Sequence, residues 1–265
     1  MYESGLQLAE RKWSAEVIPY LKKLYEGHWL PSHDILHHRR VWQNACSLME
    51  FFPPDQILPD PCFEEKLFLA CLFHDVGLLE HKGVFHGKYS RKQCEKFLSQ
   101  TKQVIQFDPF NLYLAIEKHD DKNYEDQAEK ESFPLKTVLS LADDMDAFGA
   151  IGVYRYIEIY LLRGMEMEKI AESILQNAAG RYANLVRHVH EDFVKNGEGA
   201  LAYKRLAGIL DSDAFSETPE SLVKWINKNI VELRLNPFDY FQNSDLTEIK
   251  SDRIRIFAEF FVQEL

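Results

Sequence analysis

The sequence predicts an all-α protein. Apolar residues recur at helical spacing along almost the whole chain, no convincing alternating strand pattern interrupts them, and Gly and Pro fall where helices should end. Leu6, Trp13, Val17, Leu21 and Leu24 form the stripe of a first helix, closed by the Pro31-Ser32 break. A second helix begins at about Asp34, with Val41, Ala45 and Leu48 continuing a face from His37 at spacings of three and four; that register turns His37 inward and His38 outward. Breaks at Pro53-Pro54 and Pro59 to Pro61 precede a more buried helix carrying Leu67, Leu69, Ala70, Leu72 and Phe73, which ends at His74-Asp75 before Gly77. After Gly83, His86 opens the segment HGKYSRKQCEKF, with a helix following, and Pro109 opens another helix that ends at His119. The acidic stretch from Asp120 to Glu131, followed by Ser132 and Pro134, reads as a solvated loop. Val138, Leu139, Leu141 and Ala142 then mark a core helix leading to Asp143. A tyrosine-rich helix with Tyr154, Tyr156 and Tyr160, read as core packing, closes at Gly164. Beyond it, a polar-faced helical tail over about 165–265 is broken at Gly197 and Gly199 and at Pro219. The count is roughly ten helices of about 8 to 20 residues each, read as a single helical domain over 1–265 whose weakest candidate boundary is near Gly164.

A chain of 265 residues with 46% hydrophobic side chains can bury a sizeable core. Acidic residues outnumber basic ones by 42 to 31, so long-range attraction to duplex nucleic acid has no source. A phosphate-bearing small molecule stays open, because a bound divalent cation reverses the local field. Cys46, Cys62, Cys71 and Cys94 lie far apart with no Cys-x-x-Cys pair, which reads as reduced, buried thiols. The chain's start lacks a basic, apolar secretory signal, and no stretch approaches a membrane span. Together these predict a cytoplasmic protein without a membrane partner.

Eight of the ten histidines lie between His28 and His119, and imidazole is the commonest metal-binding side chain. His37 sits in HDILHHRRVWQNA; His74 and Asp75 end the apolar run LFLACLFHDVG; Asp143 lies in LSLADDMDAFGAIG. An ionised Asp at the end of a core helix requires a partner, and a divalent cation supplies one. Three acids within Asp143, Asp144 and Asp146 repel one another unless something positive is near or some face solvent. Asp144 reads as solvated, and Asp146 as orienting a ligand or capping the Gly149 turn.

His37 with Arg40-Val41 three and four positions on, the His74-Asp75 doublet and the distant LAD ending in Asp143 resemble, in order and spacing, the HD superfamily of metal-dependent phosphohydrolases. The resemblance covers roughly residues 28 to 155. It implies an HD-domain helical bundle with additional C-terminal helices, in which His37, His74, Asp75 and Asp143 hold a divalent metal ion: Mn, Fe, Ni, Zn, Co or Mg. In binuclear members, histidines placed like His86 and His119 hold a second metal that Asp75 bridges. Some phosphodiesterase branches have a lysine three residues after the HD aspartate; Leu78 stands there, which argues against that branch. The implied reaction is hydrolysis of a nucleotide or other small phosphate ester by a metal-activated water. Asp75 would bridge metals or take the water proton, and His86 or His119 would stabilise phosphate charge if no second metal binds. Arg40 either grips a substrate phosphate or forms a structural ion pair. His33 and His38 flank the first ligand, where solvent exposure or contact with substrate explains them. His28, His81, His188 and His190 read as surface or structural. The rival readings are a binuclear iron oxygenase of the same fold, with six similar ligands, and a regulatory domain that binds metal or nucleotide without turnover.

Overall fold

The computed structural model describes residues 4–50, 60, 62–83, 85–121, 134–189 and 198–265. Among the described residues it is all-α, with twelve α-helices, a few short 3₁₀ or π turns and no strand. The chain divides into two compact units, Met1–Asp143 and Asp144–Leu265.

In the first unit, α1 (Gly5–Tyr25) begins with a reciprocal cap: the Ser4 hydroxyl accepts from the Gln7 N–H, and the Gln7 side chain accepts from the Ser4 N–H. Of the predicted stripe, Trp13, Val17 and Leu21 are buried together with Ala9, whereas Leu6 and Leu24 are half-buried. Asp34 caps α2 (Ile35–Met49), accepting from the N–H groups of Leu36 and His37 at 2.8 and 3.3 Å, so this helix starts where its sequence places it. The next helix, α3 (Phe63–Phe73), is buried from Lys66 to Phe73 without a gap. A helix that is apolar all round needs neighbours all round. It has them in α1, α2, α4 (His86–Gln100) and α5 (Phe110–Lys118). Into this unit runs α6 (Pro134–Asp146), tied by the Asn44 amide donating to the Ala142 carbonyl at 3.0 Å and by the Ser140 hydroxyl donating to the His119 carbonyl at 2.9 Å. The division between the units falls inside α6.

The second unit repeats the device. Its helix α7 (Gly149–Leu162) is buried from Gly149 to Tyr160 and packs against α8 (Met167–His188), α9 (Glu198–Leu210), α10 (Pro219–Ile226) and α12 (Asp252–Gln263). A short α11 (Pro237–Asn243) lies against α12. Tyr154, Tyr156 and Tyr160 are buried in this core, as their spacing predicts. Gly164 ends the helix in the left-handed region at φ 75°. Arg253 of α12 is 0% exposed and faces main chain rather than carboxylates. It donates to the carbonyls of Ile209, Asp211 and Glu217, the last two at 2.7 and 2.9 Å, while its guanidinium stacks on Phe215 at 4.5 Å.

Several expectations change. Asp144, expected in solvent, is 0% exposed and accepts from Arg181 at 2.5 Å and Asn184 at 3.2 Å; α8 covers it, which a reading of one helix alone does not see. Asp146 accepts from Arg155 at 2.9 Å. Gly199 lies inside the first turn of α9 rather than breaking the chain. All four thiols are free; Cys71 and Cys94 are buried, and Cys46 and Cys62 half-buried. The acidic loop over 122–133, the prolines 53, 54, 59 and 61, Gly197 and His190 lie outside the described residues. No helix among the described residues is long and apolar enough to cross a membrane.

Candidate metal centre

All six predicted ligands come together in the first unit, and most of them stand at helix ends. His37 is in the first turn of α2, His74 caps the C-terminus of α3 with Asp75 next to it, His86 is the first residue of α4, and His119 caps the C-terminus of α5. Asp143 comes from α6. Three of the imidazoles are fixed in one way: the Nδ1–H donates to the carbonyl three residues back. His74 uses Cys71 at 2.9 Å, His86 uses Gly83 at 2.9 Å, and His119 uses Ile116 at 2.8 Å. A carbonyl can only accept, so each of these Nδ1 atoms carries a hydrogen and each Nε2 is turned inward.

Those inward nitrogens converge in two groups that share one carboxylate. His37 Nε2 and His74 Nε2 are 3.0 Å apart, each 3.4–3.5 Å from Asp75 Oδ2 and 3.7–3.8 Å from Asp143 Oδ1. His86 Nε2 and His119 Nε2 are 3.2 Å apart, each 3.0 Å from Asp75 Oδ1. The ligand atoms of each group lie within 4.8 Å of one another, and all six residues are buried. Paired imidazole lone pairs at such distances repel unless a proton or a cation stands between them. Neutral nitrogens with carboxylate oxygens suit a divalent first-row ion, so the residues fit a metal.

Burial works against charge on His74, yet the Asp75 carboxylate, joined by Asp143, raises its pKa to about 10. Burial likewise opposes ionisation of Asp75, but the His74 charge and hydrogen bonds from His119, His37 and His74 hold its pKa well below the ordinary carboxylate range. His74 in the metal-free fold is therefore protonated at neutral pH. Its folded pKa lies above its ordinary 6.5, so its contribution to stability is complete below pH 6.5 and is lost as pH rises through about 10. A cation must displace this proton. Calorimetric metal titrations at pH 7 in buffers of different ionisation enthalpy are expected to show release of about one proton or more per chain, with affinity rising with pH. Heats that do not vary with the buffer would contradict this.

Close backbone approach shapes the second group. A Cβ on Gly77 would fall 2.0 Å from the His86 carbonyl oxygen, and one on Gly87 would fall 2.5 Å from the Glu117 carbonyl oxygen. Ser90 adds a tie, its hydroxyl accepting from the Gly77 N–H at 2.8 Å. The turn bearing Asp75 is thus pressed onto the start of α4, and α4 onto the end of α5.

Two neighbours depart from expectation. His38, expected to face outward, is fully buried, because α2 packs against both α1 and α3. Its Nδ1 meets the Cys71 carbonyl at 3.2 Å and its Nε2 the Tyr25 hydroxyl at 2.7 Å. Burial, with His74 and His37 beside it, pushes the His38 pKa well below 6.5. Burial, reinforced by the Asp75 and Asp34 charges, pushes the Tyr25 phenol well above its ordinary value and keeps it a donor. His33, expected to be exposed or to meet substrate, is also buried; its Nε2 lies 3.9 Å from Asp75 Oδ2, and its Nδ1 is 2.6 Å from the Ser32 hydroxyl. The adjacent histidines of HDILHH carried this signal. Arg40 is half-buried on α2; burial raises the pKa of the Asp34 cap above its ordinary value, and the Leu36 and His37 N–H groups, with the Arg40 charge, oppose that rise. Of the remaining histidines, His28 is exposed, His81 stacks on Tyr89, and His188 bonds the Asn184 carbonyl.

Comparison of the chain with known protein families, with curated proteins and with solved structures found no match.

Proposed function

We propose that the chain is a metal-dependent phosphohydrolase of the HD superfamily, acting on a nucleotide or another small phosphate ester. The observation that carries this reading is the division of Asp75 between two histidine pairs, Oδ2 toward His37 and His74 and Oδ1 toward His86 and His119. One ion would be held by His37, His74, Asp75 and Asp143, and a second by Asp75, His86 and His119. A divalent ion held there supplies a Lewis acid for the phosphoryl group and lowers the pKa of a coordinated water. The protein's own part would be to aim the Nε2 atoms of His74, His86 and His119 inward through their Nδ1–H bonds to main-chain carbonyls, His74 giving up its proton to the ion, and to keep Asp75 ionised between them. With a single ion bound, Asp75 Oδ1 is the atom placed to accept a proton, and His86 and His119 are left to meet phosphate charge. With two divalent ions held, the Asp75 and Asp143 carboxylates would balance only half of the added charge, and the site would favour a phosphate ester in an otherwise acidic protein.

The same shared carboxylate favours a second reading, a binuclear iron oxygenase, since two nitrogen pairs about one bridging Asp also suit a di-iron site. A regulatory domain holding the metal without turnover would use the same ligands. Metal analysis of the purified protein, phosphate release from a panel of mononucleotides, dinucleotides and sugar phosphates, and oxygen uptake separate the three. Phosphate release that stops on chelation and returns with added metal is expected. His119→Ala should remove about one ion per chain and leave the first in place. Metal-replete protein that leaves the whole panel untouched would defeat the hydrolase reading, and an unchanged metal count in His119→Ala would remove the second site.

A further inference from the structure

The Cys71 carbonyl, in the last turn of α3 where helical carbonyls lack intrahelical partners, receives two imidazoles at once. His74 Nδ1 lies at 2.9 Å and His38 Nδ1 at 3.2 Å. A carbonyl oxygen has two lone pairs and no hydrogen, so both contacts are N–H donations. His38 Nε2 in turn receives the Tyr25 hydroxyl at 2.7 Å, leaving that ring a single hydrogen. The result is a continuous chain from the end of α1 to the metal centre: Tyr25 O–H to His38 Nε2, His38 Nδ1–H to the Cys71 carbonyl, and His74 Nδ1–H to the same oxygen. Every member of it lies in the first unit. His38 also stands near enough to His37 and His74 to be grouped with them as a ligand. Both its ring nitrogens are already engaged, which assigns it another task.

We propose that His38 and Tyr25 are positioning residues for His74: they hold the Cys71 carbonyl in the orientation that locks the His74 ring and directs its Nε2 lone pair at the cation. The inference rests on the reading of His74 as a metal ligand. Without the Tyr25 hydroxyl, His38 loses the donor that keeps its hydrogen on Nδ1. If the hydrogen moves to Nε2, the Cys71 carbonyl loses one of its two donors and His74 its fixed frame. Partners of metal-binding histidines typically contribute about 10–100-fold to affinity.

The test uses the whole protein and Co(II) as the probe. Co(II) affinity is measured by competition with a chromogenic chelator, coordination by the visible spectrum of the Co(II) protein, and ring tautomers in the metal-free protein by ¹⁵N–¹H correlation of the imidazoles. His38→Phe keeps a ring but removes both nitrogens and should weaken Co(II) binding about 10–100-fold with unchanged circular dichroism. His38→Asn, which restores an N–H donor near the Nδ1 position, should recover much of that loss. Tyr25→Phe, the variant that decides if His38→Phe does not fold, should shift the His38 hydrogen toward Nε2, weaken Co(II) binding and alter the Co(II) spectrum. Wild-type affinity and spectrum in folded His38→Phe and Tyr25→Phe would overturn the proposal, as would a wild-type His38 with its hydrogen on Nε2. Tight Co(II) binding by the wild type with no effect of either variant defeats this inference alone. A wild type that binds no Co(II) defeats the reading of His74 as a ligand and the inference with it.

Discussion

Asp75→Ala is expected to lose metal from both groups at once and to lose phosphate release with it, while the helices remain folded. No other ligand sits in both groups, since the two oxygens of Asp75 serve separate histidine pairs. Removing a ligand outright should exceed the roughly 10–100-fold loss that follows from removing a ligand's partner, and here it acts on two sites. Asp75→Asn makes the same test at nearly constant volume, keeping an oxygen but losing the charge. The pattern across variants matters more than any one of them. Asp143→Asn and His74→Ala should empty the first group, His119→Ala only the second, and Asp75→Ala both. Metal analysis and circular dichroism on the four proteins decide it. Asp75→Ala retaining its full complement of metal would refute the shared-carboxylate arrangement.

The largest expected effect on stability lies in the second unit. Arg253→Met keeps a long apolar side chain but removes the donors for the Ile209, Asp211 and Glu217 carbonyls and the cation over Phe215. One buried acceptor, on Ile209, and two part-buried ones, on Asp211 and Glu217, lose their donor; at about 1 kcal/mol or more for the first and less for the two that water reaches, this predicts a loss of about 2 kcal/mol in urea unfolding followed by circular dichroism. Arg253→Lys should recover little, because one ammonium cannot reach the carbonyls that a planar fork spans. A change below about 1 kcal/mol in Arg253→Met would show that water or a neighbouring side chain satisfies those carbonyls.

The all-α class and the histidines that gather in the buried cluster were legible in the sequence because each depends on local information. Helix boundaries come from breakers and caps, and Asp34, His86 and His119 stand at helix ends where the pattern places them. Asp143 and the His74-Asp75 doublet follow apolar runs that mark core helices. What was not legible depends on how many neighbours a helix has. A single-face reading of α2 turns His38 to solvent, but α2 lies between α1 and α3 and buries both His37 and His38. Asp144 was misplaced for the same reason, since its partners Arg181 and Asn184 lie some forty residues on, beyond the reach of any local pattern. Arg253 gave no signal at all, because main-chain carbonyls have no signature in sequence.

The two glycines at the second histidine pair carry a consequence for comparing chains of this kind. A methyl group on Gly77 or Gly87 would collide with main-chain oxygen atoms, which cannot swing aside as a side chain can. The separation of His86 and His119 from Asp75 is therefore gauged by backbone rather than by the ligands. A related chain could keep every histidine and aspartate and still hold one ion fewer, merely by carrying alanine at either position. Counting ions from a sequence thus means reading glycines alongside histidines: the latter name the donors, and the former decide whether the donors can meet.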